Sequence, residues 1–304
     1  MHRYINLFFG LAISFATAQA QSITALNTTS RSTEPVTTSK APRKTNATES
    51  PFYIKLYGFY SLLTPGSQVS TSYSSSSTGT NTSFKNNSKG LGAGPRAGIG
   101  VGIIVSDFIN LGIDADMLFG ATLTSENNYN GTNYTSTGNT NTTFRVLSIT
   151  PNITFKALSR PTYYIYNRLG LVGGVVLDYK VSQSSLYAPT TGASTKSESQ
   201  YDYRKNSLSI GYQAALGIQF RLSQSLRGFA EVVAYNQSFR PKEDIYISTS
   251  TKSGVVTKYS SISQFNNQGD YTTTKQDGID VNQSASYNVV MNSVGLGVGL
   301  LFRF

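Results

Sequence analysis

Apolar residues alternate with small or polar ones, with a period of two, through most of the chain after residue 50. A β-strand points successive side chains to opposite faces, so this period is typical of strands. The alternation persists for about ten residues or more in each segment, which is the length of a membrane-spanning barrel strand. The segments lie at 52–63, 90–105, 111–125, 143–157, 163–181, 206–221, 226–240 and 286–304.

A soluble β-sandwich also alternates, but its outer face carries many charged residues. Charged residues make up only 13% of this chain, against roughly 25% in globular proteins. The connections at 106–110, 158–162 and 222–225 are short, and those at 64–89, 126–142, 182–205 and 241–285 are long. This rhythm predicts an all-β fold, an eight-stranded antiparallel up-and-down transmembrane β-barrel with short periplasmic turns and long extracellular loops. A candidate hairpin over 245–260 leaves ten strands open as an alternative.

The N-terminus has the pattern of a secretory signal peptide. A basic start precedes a mostly apolar run at 5–18, and Ala18-Gln19-Ala20 fits the small-x-small cleavage rule. We expect a signal peptide at 1–20, cleaved near Ala20, and export to the outer membrane. Residues 21–50 are rich in Ser, Thr and Pro and predict a disordered linker, which leaves 51–304 as the barrel.

The chain contains no cysteine, and its one histidine is His2, inside the predicted signal peptide. These absences argue against disulfides, thiolate metal sites and most hydrolase triads. We therefore expect no catalytic residue, no metal, no cofactor and no enzymatic activity. The glycine-rich run at 90–102 is interpreted as one strand with small lumen-facing residues, and Asp114 with Asp116 as structural partners of interior arginines.

The alternation also predicts which charged side chains face the lumen. An eight-stranded barrel is just wide enough to be filled by side chains, and buried charges need partners. We therefore expect a salt-bridge network that plugs the lumen, with a narrow channel of mild anion preference as the alternative. The residues of this predicted lumen network are Lys55, Arg96, Asp114, Asp116, Lys156, Arg168, Arg221, Arg227, Glu231 and Arg303.

The signal peptide, the strand-loop rhythm and the ending Leu300-Leu301-Phe302-Arg303-Phe304 together carry a resemblance. The chain resembles the small outer-membrane β-barrel proteins of Gram-negative bacteria, and within them the Bacteroidetes-type members. The resemblance implies that Leu300, Phe302 and Phe304 form the signal read by the barrel-assembly machinery. It also implies contact with outer-membrane lipid and lipopolysaccharide.

The expected function is that of a non-enzymatic surface protein whose long polar loops bind a ligand at the cell surface. A narrow porin-like channel for ions or small solutes, and an accessory barrel of a secretion or export machine, are the alternatives. The formal net charge of +10 does not indicate a nucleic-acid partner, because no basic stripe or helix gathers it.

Overall fold

The computed structural model describes residues 51–66, 70–76, 83–87 and 89–304. The predicted signal peptide and linker, at 1–50, lie outside the described residues. The described chain forms seventeen β-strands in one sheet. Within these ranges, no helix has the length and apolar character needed to cross a membrane. The strands are β1 (Phe52–Leu63), β2 (Ser70–Ser76), β3 (Ser83–Asn87), β4 (Pro95–Ile104), β5 (Ile109–Leu118), β6 (Leu123–Asn130), β7 (Tyr134–Ser159), β8 (Tyr163–Pro189), β9 (Thr195–Asn206), β10 (Ser209–Arg221), β11 (Leu226–Phe239), β12 (Pro241–Lys252), β13 (Val255–Asn266), β14 (Thr273–Gln276), β15 (Ile279–Ala285), β16 (Val289–Val290) and β17 (Ser293–Arg303).

Eight of these strands pair in a closed circle. β1 pairs with β4 on one side and with β17 on the other, both antiparallel. Antiparallel pairing continues from β4 through β5, β7, β8, β10 and β11 to β17. We call these eight strands the ring. The all-β class is confirmed, whereas the sheet has seventeen strands rather than the eight that the sequence predicts.

Three short turns, at 105–108, 160–162 and 222–225, lie at one end of the ring. Backbone hydrogen bonds at these turns reach the two ends of the described chain. Ile104 N, just before the first turn, donates to Pro51 O at 2.8 Å, and Arg303 N donates to Ser225 O, in the third turn, at 2.8 Å. We call this the turn end, and the opposite one the loop end. Both ends of the described chain, residues 51 and 304, therefore lie at the turn end.

The long connections are mostly strands rather than loops, which corrects the sequence prediction. β7 and β8 have 26 and 27 residues. Their pairing begins with Tyr134 opposite Pro189 and ends with Ser159 opposite Tyr164. The strands β3, β2, β6, β9, β12, β13, β15 and β14 extend this hairpin on both sides beyond the loop end, and we call the whole the upper sheet. Two of its pairings, β2 with β6 and β13 with β15, are parallel. Thr and Tyr are residue types enriched in strands.

The hairpin predicted at 245–260 is confirmed. β12 and β13 pair antiparallel, and Lys252 lies opposite Val255. Ser253 and Gly254 between them have φ values of 52° and 77°, as a two-residue hairpin turn requires. β12 also pairs with β9, so the hairpin belongs to the upper sheet and does not enlarge the ring.

The ring has its polarity inverted relative to a water-soluble protein. Apolar side chains point outward: Leu216 and Val298 are each 62% exposed, and Ile113 is 54% exposed. Charged side chains point inward, and Arg96 and Asp116 are each 2% exposed. The two faces follow the period-two alternation of the sequence.

Glycines on β4 make room for large inward side chains. A Cβ added at Gly98 would lie 2.6 Å from the Tyr57 ring, and one at Gly100 would collide with the Asp114 carboxylate. This agrees with the interpretation of the glycine run for 95–102. Residues 90–94 are not strand, however. Gly94 has φ +119°, and a Cβ there would lie 2.6 Å from Ala121 N, so the close approach of 120–121 bends the chain before β4.

Candidate functional site

Four inward side chains form a continuous chain of ion pairs across the ring. Lys55 Nζ on β1 lies 2.6 Å from Asp114 Oδ2 on β5. Arg168 on β8 donates one terminal nitrogen to Asp114 and the other to Glu231 on β11. Tyr166 donates its hydroxyl to the second oxygen of Glu231 at 2.9 Å. One arginine thus bridges carboxylates that belong to two different walls.

A second group lies beside this chain, centred on Arg96 and Asp116. Arg96 Nη1 is 2.9 Å from Asp116 Oδ1, and neither side chain has exposed surface. The hydroxyls of Tyr57 and Tyr235 donate to Asp116 Oδ2 at 3.2 and 3.4 Å. Arg96 also donates to Gln237 Oε1 at 3.2 Å, and its guanidinium lies 4.2 Å from the centre of the Tyr235 ring. The Arg96 guanidinium and the Asp116 carboxylate are thus each paired with an opposite charge and surrounded by neutral hydrogen-bonding groups.

The two groups together form an electrically balanced layer, which we call the central network. Its cations are Lys55, Arg96 and Arg168, and its carboxylates are Asp114, Asp116 and Glu231. Buried ions are tolerated when each is paired and hydrogen-bonded. Three cations paired with three carboxylates meet that condition. Asp114 and Asp116 bind different cations, as expected for structural partners.

A further three predicted residues lie elsewhere, near the turn end. Lys156 on β7, Arg227 on β11 and Arg303 on β17 line a cavity of about 410 Å³ that also includes Asp107, Asn110, Tyr164 and Gln219. These three side chains are half-buried. They therefore form a separate basic zone at the mouth of the ring rather than joining the central network.

Arg221 is outside both groups, which corrects its place in the predicted lumen network. Its side chain is exposed, and its Nε donates to the backbone oxygen of Ser223 at 3.3 Å. Arg221 is the last residue of β10, where the strand gives way to a turn. The turn offers a backbone acceptor at the rim, and the arginine binds it. Arg221 lies opposite Arg227 on the neighbouring strand, so it keeps the predicted face but not the predicted burial.

On the loop-end side of the central network, the interior becomes apolar. Phe144 and Phe239 stack at 5.6 Å between ring centres, and Leu118, Val146 and Met291 each have no exposed surface. We call this cluster the apolar layer; its buried members are Leu91, Ala93, Leu118, Leu123, Phe144, Val146, Phe239, Val289 and Met291. The sequence analysis missed it because Leu91 and Ala93 enter from a turn, which period-two alternation does not describe.

The upper sheet carries an aromatic cluster made by three neighbouring strands. Tyr134 on β7 lies 5.4 Å from Tyr129 on β6 and 5.1 Å from Tyr187 on β8, measured between ring centres. Tyr187 is 43% exposed. We call these three residues the tyrosine cluster. Tyrosine provides large contact area with little conformational entropy to lose, so the cluster is suited to binding.

Two residues of the predicted assembly signal, Leu300 and Phe302, lie on β17, and Phe304 follows directly after it. β17 pairs with both β1 and β11 and thereby closes the ring. Leu300, Phe302 and Phe304 are 40%, 37% and 66% exposed. They point away from the interior, so their side chains add little to the packing inside the ring.

Deletion of Phe304 should therefore reduce assembly in cells far more than it reduces stability. We expect less folded, heat-modifiable barrel on semi-native gels, with unchanged thermal unfolding of the fraction that does fold. Phe52→Ala is the matched control, since Phe52 is 58% exposed at the same end. An equal loss of folded protein in both variants would argue against a signal specific to the last residue.

No family model matches the chain, and no characterised protein matches it. Solved structures show distant likeness. The outer-membrane protease OmpT from Escherichia coli has 9% identity and a TM-score of 0.26, over 84% of this chain and 94% of its own. The Ralstonia pickettii toluene transporter TbuX has 8% identity and a TM-score of 0.16, over 83% and 89%. A Pseudomonas aeruginosa FadL homologue has 7% identity and a TM-score of 0.15, over the same shares.

These likenesses are too distant to assign an activity or a substrate to this chain. They do correct one expectation. The sequence predicts that the protein is not an enzyme, yet a protease stands among the similar structures. We therefore do not retain the absence of enzymatic activity as a conclusion.

Proposed function

We propose that the protein is an outer-membrane β-barrel that crosses the bilayer with the ring, closes its own lumen and presents the upper sheet at the cell surface. The observation that carries this proposal is the inverted polarity of the ring. Its outward face is apolar and its inward face holds charged groups that are almost fully buried. In water such an outer face is unfavourable by roughly 25 cal/mol per Å² of exposed apolar surface, a cost that lipid removes.

The orientation follows from the turns and the predicted export signal. A chain secreted from its N-terminus leaves that end in the periplasm, and residue 51 lies at the turn end. The turn end then faces the periplasm and the upper sheet faces the exterior. Short turns inside and long segments outside are the arrangement of bacterial outer-membrane barrels. Lipid, and lipopolysaccharide in the outer leaflet, are the partners that this orientation implies, with the barrel-assembly machinery acting during insertion.

The closure of the lumen rests on two consecutive layers. The central network fills the ring with paired charges, and the apolar layer fills it towards the loop end. An eight-stranded barrel has just enough interior space for such side chains. We infer that the barrel is a scaffold rather than an open pore.

The binding role rests on the size and composition of the upper sheet. A membrane-spanning strand needs about ten residues, and β7 and β8 have 26 and 27. The surplus of roughly 15 residues extends the hairpin by about 50 Å at most, measured along the strand. The tyrosine cluster gives this extension a contact surface, and we propose that it binds a ligand outside the cell.

Conductance of the purified full-length protein tests closure directly. In planar bilayers we expect only brief, irregular currents from wild type, while the same preparation fractionates with the outer membrane and shifts on heating in semi-native gels. A steady current with anion preference would replace the closed scaffold with a narrow channel. Recovery in the soluble fraction would overturn the membrane assignment itself.

A further inference from the structure

Asp244 is a buried carboxylate at the base of the upper sheet, outside the central network. It is 3% exposed and lies on β12, just after the chain leaves the ring at the end of β11. Ser263, directly opposite on β13, donates hydrogen bonds to this carboxylate. Among the residues that the structure describes, none donates a hydrogen bond to Asp244 Oδ1. A buried acceptor without a donor is unfavourable, so this oxygen is open to a donor from a ligand.

The negative charge of Asp244 has no cation beside it in the described part of the chain, where no lysine or arginine nitrogen lies within 4.0 Å of its carboxylate. The basic residues near it on β9 and before β12 bind other groups. These contacts join Arg204 Nε to Asp202 Oδ2 at 3.3 Å, Lys205 Nζ to Glu243 Oε2 at 2.7 Å, and Arg240 Nε to Asn288 Oδ1 at 2.8 Å. Lys242, two residues away on β12, is exposed. Asp244 can therefore accept a cation from outside the protein.

A β-bulge sets this carboxylate beside aromatic rings. The ladder between β12 and β9 shifts at Asp244, so that Tyr203 and Arg204 together lie opposite it. Tyr203 stacks on Tyr179 with 4.1 Å between ring centres, and its hydroxyl oxygen lies 3.4 Å from that of Tyr287, in a hydrogen bond. We call Tyr179, Tyr203 and Tyr287 the tyrosine cage. Its rings come from β8, from β9 and from the segment before β16.

The electrostatics of these side chains agree with their proximity. Burial raises the pKa of the Tyr203 and Tyr287 hydroxyls, and the negative charge of Asp244 adds to the rise in both. Burial also raises the pKa of Asp244 itself, while hydrogen bonds from Ser263 oppose that rise. A cation next to the carboxylate would offset the cost of burying its charge.

We propose that Asp244 and the tyrosine cage bind a primary alkylammonium ion. Its N–H groups supply the donor that Asp244 Oδ1 lacks, and aromatic faces attract a cation. A metal ion fits less well, since within the described ranges no three histidine, cysteine or acidic side chains meet to hold one. Tyr287 is 41% exposed and lies between the strands β15 and β16, so the ligand enters past this ring.

This site rests on the proposed function only for the direction of entry, because the upper sheet then faces the exterior. It is separate from the tyrosine cluster, and it does not depend on whether the barrel conducts. Binding to protein in nanodiscs is measured whichever way the barrel is oriented, so failure of the site and failure of the membrane orientation are distinct results.

Saturation-transfer NMR titration of n-butylammonium into full-length protein in phosphatidylcholine nanodiscs tests the site, with empty nanodiscs as the blank. Asp244→Asn should weaken binding about tenfold or more, because it removes a charge-assisted hydrogen bond. Tyr203→Leu should weaken it about threefold or more, whereas Tyr203→Phe keeps the aromatic face and most of the affinity. Asp202→Asn is the matched control, since it removes a carboxylate from a partly exposed ion pair on the neighbouring strand, and we expect less than about a twofold change.

Two further ligands separate charge from hydrogen bonding. Uncharged n-butanol should not bind, and tetramethylammonium, which has no N–H group, should bind more weakly than n-butylammonium. Wild type that shows heat-modifiability but binds no n-butylammonium would overturn the proposal. Equal weakening by Asp202→Asn would reduce the effect to general surface charge, and equal binding of n-butanol would reduce it to apolar contact. If Asp244→Asn yields no folded barrel, the Tyr203 variants and the three ligands decide the question.

Discussion

Asp116→Ala should destabilise the barrel by about 3–5 kcal/mol, the usual cost of leaving a buried ion without its partner. Arg96 is the ion in question: its side chain has no exposed surface, and Asp116 is its carboxylate partner at 2.9 Å. The substitution also takes the acceptor from the hydroxyls of Tyr57 and Tyr235. Guanidinium unfolding in micelles, followed by heat-modifiability, measures the loss.

Two controls separate the buried charge from the loss of an ion pair as such. Glu198→Ala breaks a pair with Lys196 whose side chains are 59% and 63% exposed, and exposed pairs contribute about 0–1 kcal/mol. Arg96→Met combined with Asp116→Ala removes both buried charges, so the double variant should be more stable than Asp116→Ala alone. If Asp116→Ala and Glu198→Ala are equally stable, the central network is not what holds the ring together.

Period-two alternation predicts the face of a side chain but not its height along the barrel. It placed Lys55 and Lys156 on the same inward side, and both point inward. It could not show that Lys55 meets Asp114 while Lys156 joins a separate cavity, because that depends on the stagger between neighbouring strands. The stagger is set by the ladders that place Lys55 opposite Gly100 and Gly100 opposite Asp114, and the first of these pairs joins residues far apart in the sequence. Alternation also does not predict burial at strand ends, because Arg221 lies opposite half-buried Arg227 and is itself exposed.

The segments outside the ring were less predictable for a different reason. Strands in the upper sheet have polar residues on both faces, as in Thr195–Asn206, so no apolar alternation in the sequence distinguishes them from loops. Only the Ser253–Gly254 turn gave a local signal, and it located its hairpin correctly. The apolar layer had no such signal: Leu91 and Met291 come from segments that precede β4 and β17, and they meet only in the folded chain.

The proposed closure of the lumen places two barriers in series, and this arrangement predicts a non-additive effect on conductance. On β11, Glu231 of the central network lies nearer the turn at 222–225 than Phe239 of the apolar layer does. An ion crossing the ring therefore meets both layers in turn. A dry apolar constriction stops ions without any charge, and a filled polar layer stops them by occupying the path.

The test opens each layer separately and then both. Arg168→Ala with Glu231→Ala removes one cation and one carboxylate, and it leaves Lys55 paired with Asp114, so the polar layer stays neutral. Phe239→Ala with Met291→Ala opens the apolar layer. Each double variant should remain near the wild-type background in planar bilayers, because the intact layer limits the current. Only the quadruple variant should conduct steadily.

Large-to-small substitutions in a core cost about 2–5 kcal/mol each, so only the heat-modifiable fraction of every variant is reconstituted. Unfolded protein then accounts neither for an unexpected current nor for the absence of a current. If Arg168→Ala with Glu231→Ala alone conducts as well as the quadruple variant, the apolar layer is no barrier and the central network alone closes the ring. If Phe239→Ala with Met291→Ala alone conducts, ions pass the paired charges and the lumen is a gated channel, closed at the loop end.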